Sequence, residues 1–284
     1  MMTIISGVGL LLLTLAVFSI FSLKFPKGSQ AMSGMANAAV ASFLIEAVHK
    51  YITGDLLGIA FLGEVGATAG SLGGVAAGIM VPLSMGVNPV FAVVGGLACG
   101  GYGILPGFIA GYIVGLIAPY IEKYLPTGLD IILGSLTIAP MARLFALVVD
   151  PAVNSILGMI GGTITAAADQ SPVIMGFLLG GIMKMICTSP LSSMALTAML
   201  GLTGLPMGIA AIACFGGSFT NGMVFHKMGY GDKSNVIAVM LEPLTQAHIV
   251  TAHPIPIFVS NFFGGGLAGL AAAMLGIVNN APGT

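Results

Sequence analysis

Long apolar runs with almost no charge dominate the pattern of this chain. Residues 2–21 and 66–121 contain no charged side chain, and 131–149 is interrupted only by Arg143. A transmembrane helix needs about 20 consecutive apolar residues, so the first run fits one span and the second must fold back on itself. The runs are continuous rather than alternating, and backbone groups in lipid must be satisfied within the protein. The pattern therefore predicts membrane helices and not barrel strands.

Glycines, prolines and polar breaks divide this pattern into about eight to eleven transmembrane helices and re-entrant segments. Segment 32–52 has two interpretations, a span or an amphipathic helix at the interface, because Glu46 and Lys50 are spaced to pair on one helix face. The whole chain, 1–284, is predicted to be one all-α polytopic membrane domain. The predicted segments are 2–22, 32–52, 56–85, 88–103, 104–121, 129–150, 152–168, 173–187, 191–225 (two pieces, divided near 204–206), 235–250 and 256–278.

Two short basic loops, 24–27 and 226–233, set the predicted orientation. Lys and Arg are enriched in cytoplasmic loops, so both loops are placed on the cytoplasmic side. The first apolar run lacks a basic leading region and a clear cleavage site, which predicts a retained span rather than a signal peptide.

Composition narrows the class further. Charged residues make up 6% of the chain and hydrophobic residues 57%, whereas about a quarter of an ordinary soluble domain is charged. The net charge of -1 does not favour a nucleic-acid partner. The three cysteines show no metal-ligand spacing, and no metal or cofactor is predicted. Many of the 43 glycines are expected to let helices pack closely.

One dense polar stretch, residues 242–256, stands out against this background. Polar side chains at membrane depth are costly unless they serve binding or transport. A second segment, 186–193, is likewise interrupted by proline and rich in Ser and Thr. A pair of such broken segments is the best sequence indication of a transporter binding site near the bilayer midplane.

We therefore predict a solute site formed by these two segments. Glu242 and Gln246 would share a helix face if the helix continues through Pro243. His248 and His253 are five residues apart, which is not the spacing of two metal ligands on one helix face. The predicted substrate-binding residues are Thr188, Ser189, Ser192, Ser193, Glu242, Thr245, Gln246 and His248.

Three further charged residues lie inside apolar runs. Arg143 and Lys184 are functional candidates because intramembrane charges are rare, although Lys184 could instead extend to the interface. Glu64, flanked by glycines, is expected either to face a cavity or to sit at a loop tip.

Several of these stretches resemble the membrane-embedded enzyme IIC component of the sugar phosphotransferase system. Segments 103–115, 124–130 and 172–181 follow the order of fructose-type IIC chains over about residues 95–275. Segment 187–193 falls where those chains carry Gly-Gly-Pro-Val-Asn-Lys, and 244–249 where they carry Ile-Thr-Glu-Gly-Ala-Ile. The chain is most similar to stand-alone relatives labelled perfringolysin regulatory (PfoR-like) proteins, over nearly its whole length.

The resemblance implies a bacterial inner-membrane protein that works as a homodimer, with an elevator-like motion of a substrate-carrying part. Residues 1–125 would then form the scaffold and dimerisation part, and 126–284 the substrate-carrying part. Separate IIA and IIB proteins would be partners, and the substrate would be a sugar or another small polar solute.

One departure from the family pattern changes the functional prediction. The sugar-binding Glu of the family corresponds to Gln246, and its Asn-Lys pair corresponds to Ser192 and Ser193. Glutamine cannot act as a general base, which argues against phosphoryl transfer to the sugar. We therefore expect a permease that moves a sugar by alternating access. Two alternatives stay open: a membrane sensor that binds a solute without transport, and a group-translocating IIC that needs IIA and IIB partners.

Overall fold

The computed structural model describes residues 2–126, 128–168, 170–191, 193, 196–197 and 202–280. These residues form helices joined by short turns, and the only β pairing among them is an isolated bridge between Gly204 and Asn279. The predicted all-α polytopic fold is confirmed. The helices are α1 (Met2–Lys24), α2 (Gly28–Ala39), α3 (Ala60–Ser71), α4 (Gly73–Ser84), α5 (Pro89–Ala98), α6 (Ile104–Tyr124), α7 (Leu129–Ala168), α8 (Pro172–Cys187), α9 (Gly204–Met228), α10 (Lys233–Leu241), α11 (Ala247–Ala252) and α12 (Pro254–Met274).

Within this described part of the chain, six helices are long and apolar enough to cross a bilayer. The bent pair α3 and α4, with 61° between its two halves, makes a seventh candidate, and α5 and α8 are shorter apolar helices. The protein is therefore a multi-pass membrane protein. The spans by this criterion are Ile5–Lys24, Gly28–Leu56, Ile104–Tyr124, Leu129–Ala168, Gly204–Met228 and Pro254–Met274.

The predicted break at Pro151 and the predicted continuous segment 56–85 both differ from the structure. Residues 129–150 and 152–168 are one helix, α7, which continues through Pro140 and Pro151. Proline is tolerated inside membrane helices because neighbouring groups satisfy the freed carbonyls, so the predicted break at Pro151 was wrong. Conversely, predicted segment 56–85 bends at Leu72, where α3 ends and α4 begins.

The second predicted segment is continuous with α2. Two π-helical stretches, Val40–Leu44 and Ala47–Leu56, extend α2 to a helix of 29 residues. That length favours a span over an interfacial helix. The expected pair of Glu46 and Lys50 is confirmed, with 3.0 Å between Lys50 Nζ and Glu46 Oε1.

The chain forms two compact units, a middle unit of residues 24–155 and a terminal unit of residues 1–23 and 156–284. The core of the middle unit lies between α5, α6 and α7, around Phe91, Val114 and Ile138. In the same unit α4 and α6 touch backbone to backbone, because a Cβ added at Gly107 would overlap the carbonyl of Gly74.

The terminal unit has its densest packing between α8, α9 and α12. Glycines allow this approach: a Cβ added at Gly176 would lie 2.9 Å from Gly269 O, and one at Gly180 would lie 2.6 Å from Gly265 O. Small residues at helix crossings favour association in lipid, where no hydrophobic force brings helices together. The predicted solute-binding residues that the structure describes all belong to this unit.

Candidate functional site

The first broken segment begins where α8 ends. Thr188 closes the helix with a bond from its amide to Lys184 O (3.1 Å), and Pro190 cannot continue it. The hydroxyl of Ser189 donates to Ile186 O (2.7 Å) and accepts from Leu191 N (3.2 Å). Thr188 and Ser189 are buried, so this turn places two hydroxyl-bearing residues inside the unit.

The second broken segment begins at Glu242, after α10. The backbone is extended there (φ -147°, ψ 96°), and residues Pro243–Gln246 form a single 3₁₀ turn. The helix does not continue through Pro243, so the expectation that Glu242 and Gln246 share a helix face was wrong. Instead, Glu242 caps the turn: Oε1 accepts from Leu244 N (3.2 Å), and its carbonyl accepts from Thr245 Oγ1 (2.7 Å).

Gln246 is buried and held on both sides of its amide. Oε1 accepts from Asn235 Nδ2 (2.8 Å), and Nε2 donates to Thr245 Oγ1 (3.2 Å). Asn235 is itself fixed, because its Oδ1 accepts from the backbone amide of Asp232 at the start of α10 (2.9 Å). In that surface turn, hydrogen bonds from Ser234 and the Asn235 amide lower the pKa of Asp232 below its usual value.

The two broken segments lie close to each other. Glu242 is within electrostatic range of Cys187 and Lys184, at the end of α8. The Cys187 side chain lies beside those of Cys214 and Ser193. The structure thus brings Thr188, Ser189 and Ser193 into one region with the turn at 242–246. Ser192, which was also predicted for the site, is outside the described residues.

The two histidines after this turn differ. His253 stacks on Tyr230, with 4.0 Å between ring centroids and 8° between planes, which gives it a structural contact. His248 is half-buried, and its Nδ1 has no hydrogen-bond partner among the described residues. A buried ring nitrogen without a partner is costly, so His248 is the better candidate for a ligand contact.

Lys184 lies deeper in the unit than the sequence indicated. Its side chain is 0% exposed, and Nζ donates to Cys214 O (3.1 Å) and Ser218 Oγ (3.2 Å). Its aliphatic stem passes Gly217 and Gly265, where an added Cβ would overlap it. Lys184 therefore does not extend to the interface.

The structure adds two buried amides that sequence reasoning missed. Asn221 on α9 donates from Nδ2 to Thr188 Oγ1 (3.2 Å), and Asn261 lies on α12. Both are buried. The sequence does contain a signal for these two residues, because burying an amide in an apolar span costs free energy unless the amide has a hydrogen-bond partner. That cost is smaller than the cost of burying a charge, so the signal is weaker.

A family model described as "Phosphotransferase system, EIIC" matches residues 29–284. The chain belongs to this family. No curated protein and no solved structure matches the chain. This EIIC protein is accordingly a sugar-specific membrane transport component, and the predicted resemblance to enzyme IIC is confirmed. Across the described ranges, no three His, Cys, Asp or Glu side chains are grouped as metal ligands would be.

Two other candidate charges of the EIIC protein lie in the middle unit. Arg143 donates from Nη1 to Gly100 O (2.6 Å) and Ala98 O (3.2 Å), at the end of α5. Glu64 lies within helix α3, exposed, rather than at a loop tip. Neither residue belongs to the compact unit that contains the two broken segments.

Proposed function

We propose that this EIIC protein moves a sugar across the membrane by alternating access, with a binding site formed by the two broken segments of the terminal unit. The observation that carries the proposal is the approach of two unwound helix ends, at 188–191 and 242–246, inside one compact unit. Interrupted helices bind polar solutes because their freed amides, carbonyls and side chains need partners. The proposed sugar-binding residues are Thr188, Ser189, Ser192, Ser193, Glu242, Thr245, Gln246 and His248.

The chemistry of these residues suits hydroxyl recognition. An amide such as that of Gln246 both donates and accepts, as do the Ser and Thr hydroxyls, and Glu242 accepts. Gln246 cannot take a proton from a sugar hydroxyl, so the proposed step is binding and release of an unmodified sugar. Because Thr188, Ser189, Ser193 and Gln246 are buried, a sugar reaches them only through a conformational change, which fits alternating access.

We further propose the finer assignments that the resemblance implies. Residues 1–125 serve as scaffold and dimerisation part, and 126–284 carry the substrate, within a single integral membrane domain of a homodimer in the bacterial inner membrane. The chain is a relative of the stand-alone PfoR-like proteins, and separate IIA and IIB proteins are its candidate partners.

Counterflow in proteoliposomes tests the proposal. We expect exchange of at least one radiolabelled probe among D-glucose, D-fructose, D-galactose, D-mannitol and D-galactitol. Gln246→Ala should reduce its binding about tenfold, because one buried hydrogen-bonding group contributes about 1.4 kcal/mol. The matched control is Gln170→Ala, since the Gln170 side chain donates to Ala166 O, four residues before it (3.0 Å).

Each contrary result has a distinct meaning. Binding without exchange would favour the sensor alternative, and a Gln246→Ala variant that binds normally would remove Gln246 from the site. Formation of a phosphosugar with added IIA and IIB proteins, increased in Gln246→Glu, would establish the group-translocating alternative.

A further inference from the structure

Three helices of the terminal unit present matching stripes of residues to one another. In each stripe the residues are four apart, so they lie on one face of their helix. The stripes run from the densely packed end toward the broken segments. They are Gly180 and Lys184 on α8 with Thr188 at its C-terminal cap; Ala213, Gly217 and Asn221 on α9; and Gly269, Gly265 and Asn261 on α12.

The stripes meet in layers. In the first layer, a Cβ added at Gly180 would lie 2.9 Å from Gly269 Cα and 3.3 Å from Ala213 Cβ. In the second layer, the Lys184 stem fills the space left by Gly217 and Gly265.

The third layer is polar and follows from the same register. Thr188 and Asn221 are hydrogen-bonded to each other (3.2 Å). Asn261, one turn beyond Gly265 on the same face of α12, is at their level. Where the two layers above are filled by glycine, alanine and a lysine stem, this one contains a hydroxyl and two amides.

Asn261 is the unusual member of this layer. It is 0% exposed, and within the described part of the chain neither its Oδ1 nor its Nδ2 has a hydrogen-bond partner. Leaving buried polar groups unsatisfied costs about 1–3 kcal/mol, so natural proteins keep them where a ligand or water completes the bonding.

The donor and acceptor pattern restricts which group can complete this bonding. Asn261 needs a partner that both accepts from Nδ2 and donates to Oδ1, which a hydroxyl does. A carboxylate would satisfy only Nδ2. A cation would be repelled by the Lys184 ammonium group one layer away.

We propose that Asn261, with Thr188 and Asn221, forms an inner subsite that binds one hydroxyl group of the transported sugar. The proposal rests on the proposed function, because Thr188 belongs to both sites and joins them. It extends that site from the broken segments into the junction of α8, α9 and α12.

Asn261→Leu tests this with two independent measurements. In the empty protein, we expect the variant to be as stable as the wild type or more stable, because an apolar side chain of similar shape removes two unsatisfied groups. The second measurement is the affinity for deoxy sugars. We take the sugar of the five-member panel that binds wild type most tightly and compare it with its monodeoxy analogues, each of which lacks one hydroxyl group. One analogue should bind wild type about tenfold more weakly than the parent sugar, while Asn261→Leu binds the two equally.

The outcomes separate the two proposals. A clear loss of stability in empty Asn261→Leu would show a structural amide and overturn the inference. So would an unchanged deoxy penalty in the variant, even if wild type transports the sugar. If wild type binds no member of the panel, the proposed function fails and the inner subsite with it. Asn154→Leu is the control, because Asn154 is an exposed amide in the middle unit.

Discussion

Arg143 in the middle unit and Lys184 in the terminal unit are both cations within apolar helices, yet their surroundings are opposite. The Arg143 side chain is exposed, with its guanidinium 4.3 Å from the centre of the Tyr102 ring and bonded to two carbonyls. Lys184 is fully enclosed, and no carboxylate of the described residues forms an ion pair with it.

The difference bears on the roles that we propose for the two cations. Carbonyls at the end of a helix have no intrahelical donor and carry partial negative charge, so Arg143 completes the end of α5. Lys184 instead bonds Cys214 O, which already accepts from Ser218 Oγ (2.8 Å). Lys184 is thus not needed to satisfy that carbonyl, and it lies one layer from Thr188, Asn221 and Asn261, the residues of the proposed inner subsite.

The largest expected effect tests the packing around Lys184. In Gly265→Ala, the new methyl group would overlap Lys184 Cβ and lie 2.7 Å from Gly180 O. One of these neighbours is backbone and cannot move freely, so we expect a loss of about 3 kcal/mol in the free energy of unfolding. Thermal unfolding in detergent measures this. Gly158→Ala is the control, since a Cβ there meets nothing within 4 Å; equal stability of the two variants would disprove the layered packing.

Arg143→Met gives the next largest effect. Removing the guanidinium leaves Ala98 O and Gly100 O without this donor, and we expect a loss of about 1–3 kcal/mol. Sugar binding per folded molecule should stay at the wild-type level, because Arg143 is not in the proposed site. Lys123→Met serves as control, an exposed cation at the end of α6. A variant that folds normally but no longer binds sugar would reverse the roles of the two cations.

Much of this comparison could be predicted from the sequence, but not its decisive part. Continuous apolar runs predict helices because lipid offers the backbone no hydrogen-bond partner outside the protein. The prolines at 190 and 243 correctly marked two breaks. Pro151 did not break its helix, since a proline's effect depends on what surrounds it. The prediction that Glu242 and Gln246 share a helix face assumed a continuous helix, but no helix continues through Pro243. Asn221 and Asn261 are 40 residues apart, and only the register of three packed helices brings them to one level.

Lys184→Met gives the smallest expected change in stability and the sharpest test of the comparison. Methionine has a similar shape and can follow the same path between Gly217 and Gly265, and the variant removes a buried charge. Replacing buried charges by apolar groups of similar volume is often neutral or stabilising, so we expect the unfolding free energy to stay within about 1 kcal/mol of wild type. Sugar binding should nevertheless weaken, since the donor beside the inner subsite is lost.

Met185→Leu, a substitution of the neighbouring residue on α8, controls for repacking. If Lys184→Met instead destabilises the protein as much as Arg143→Met does and leaves binding intact, both cations are structural, and the site must be sought outside this three-helix junction.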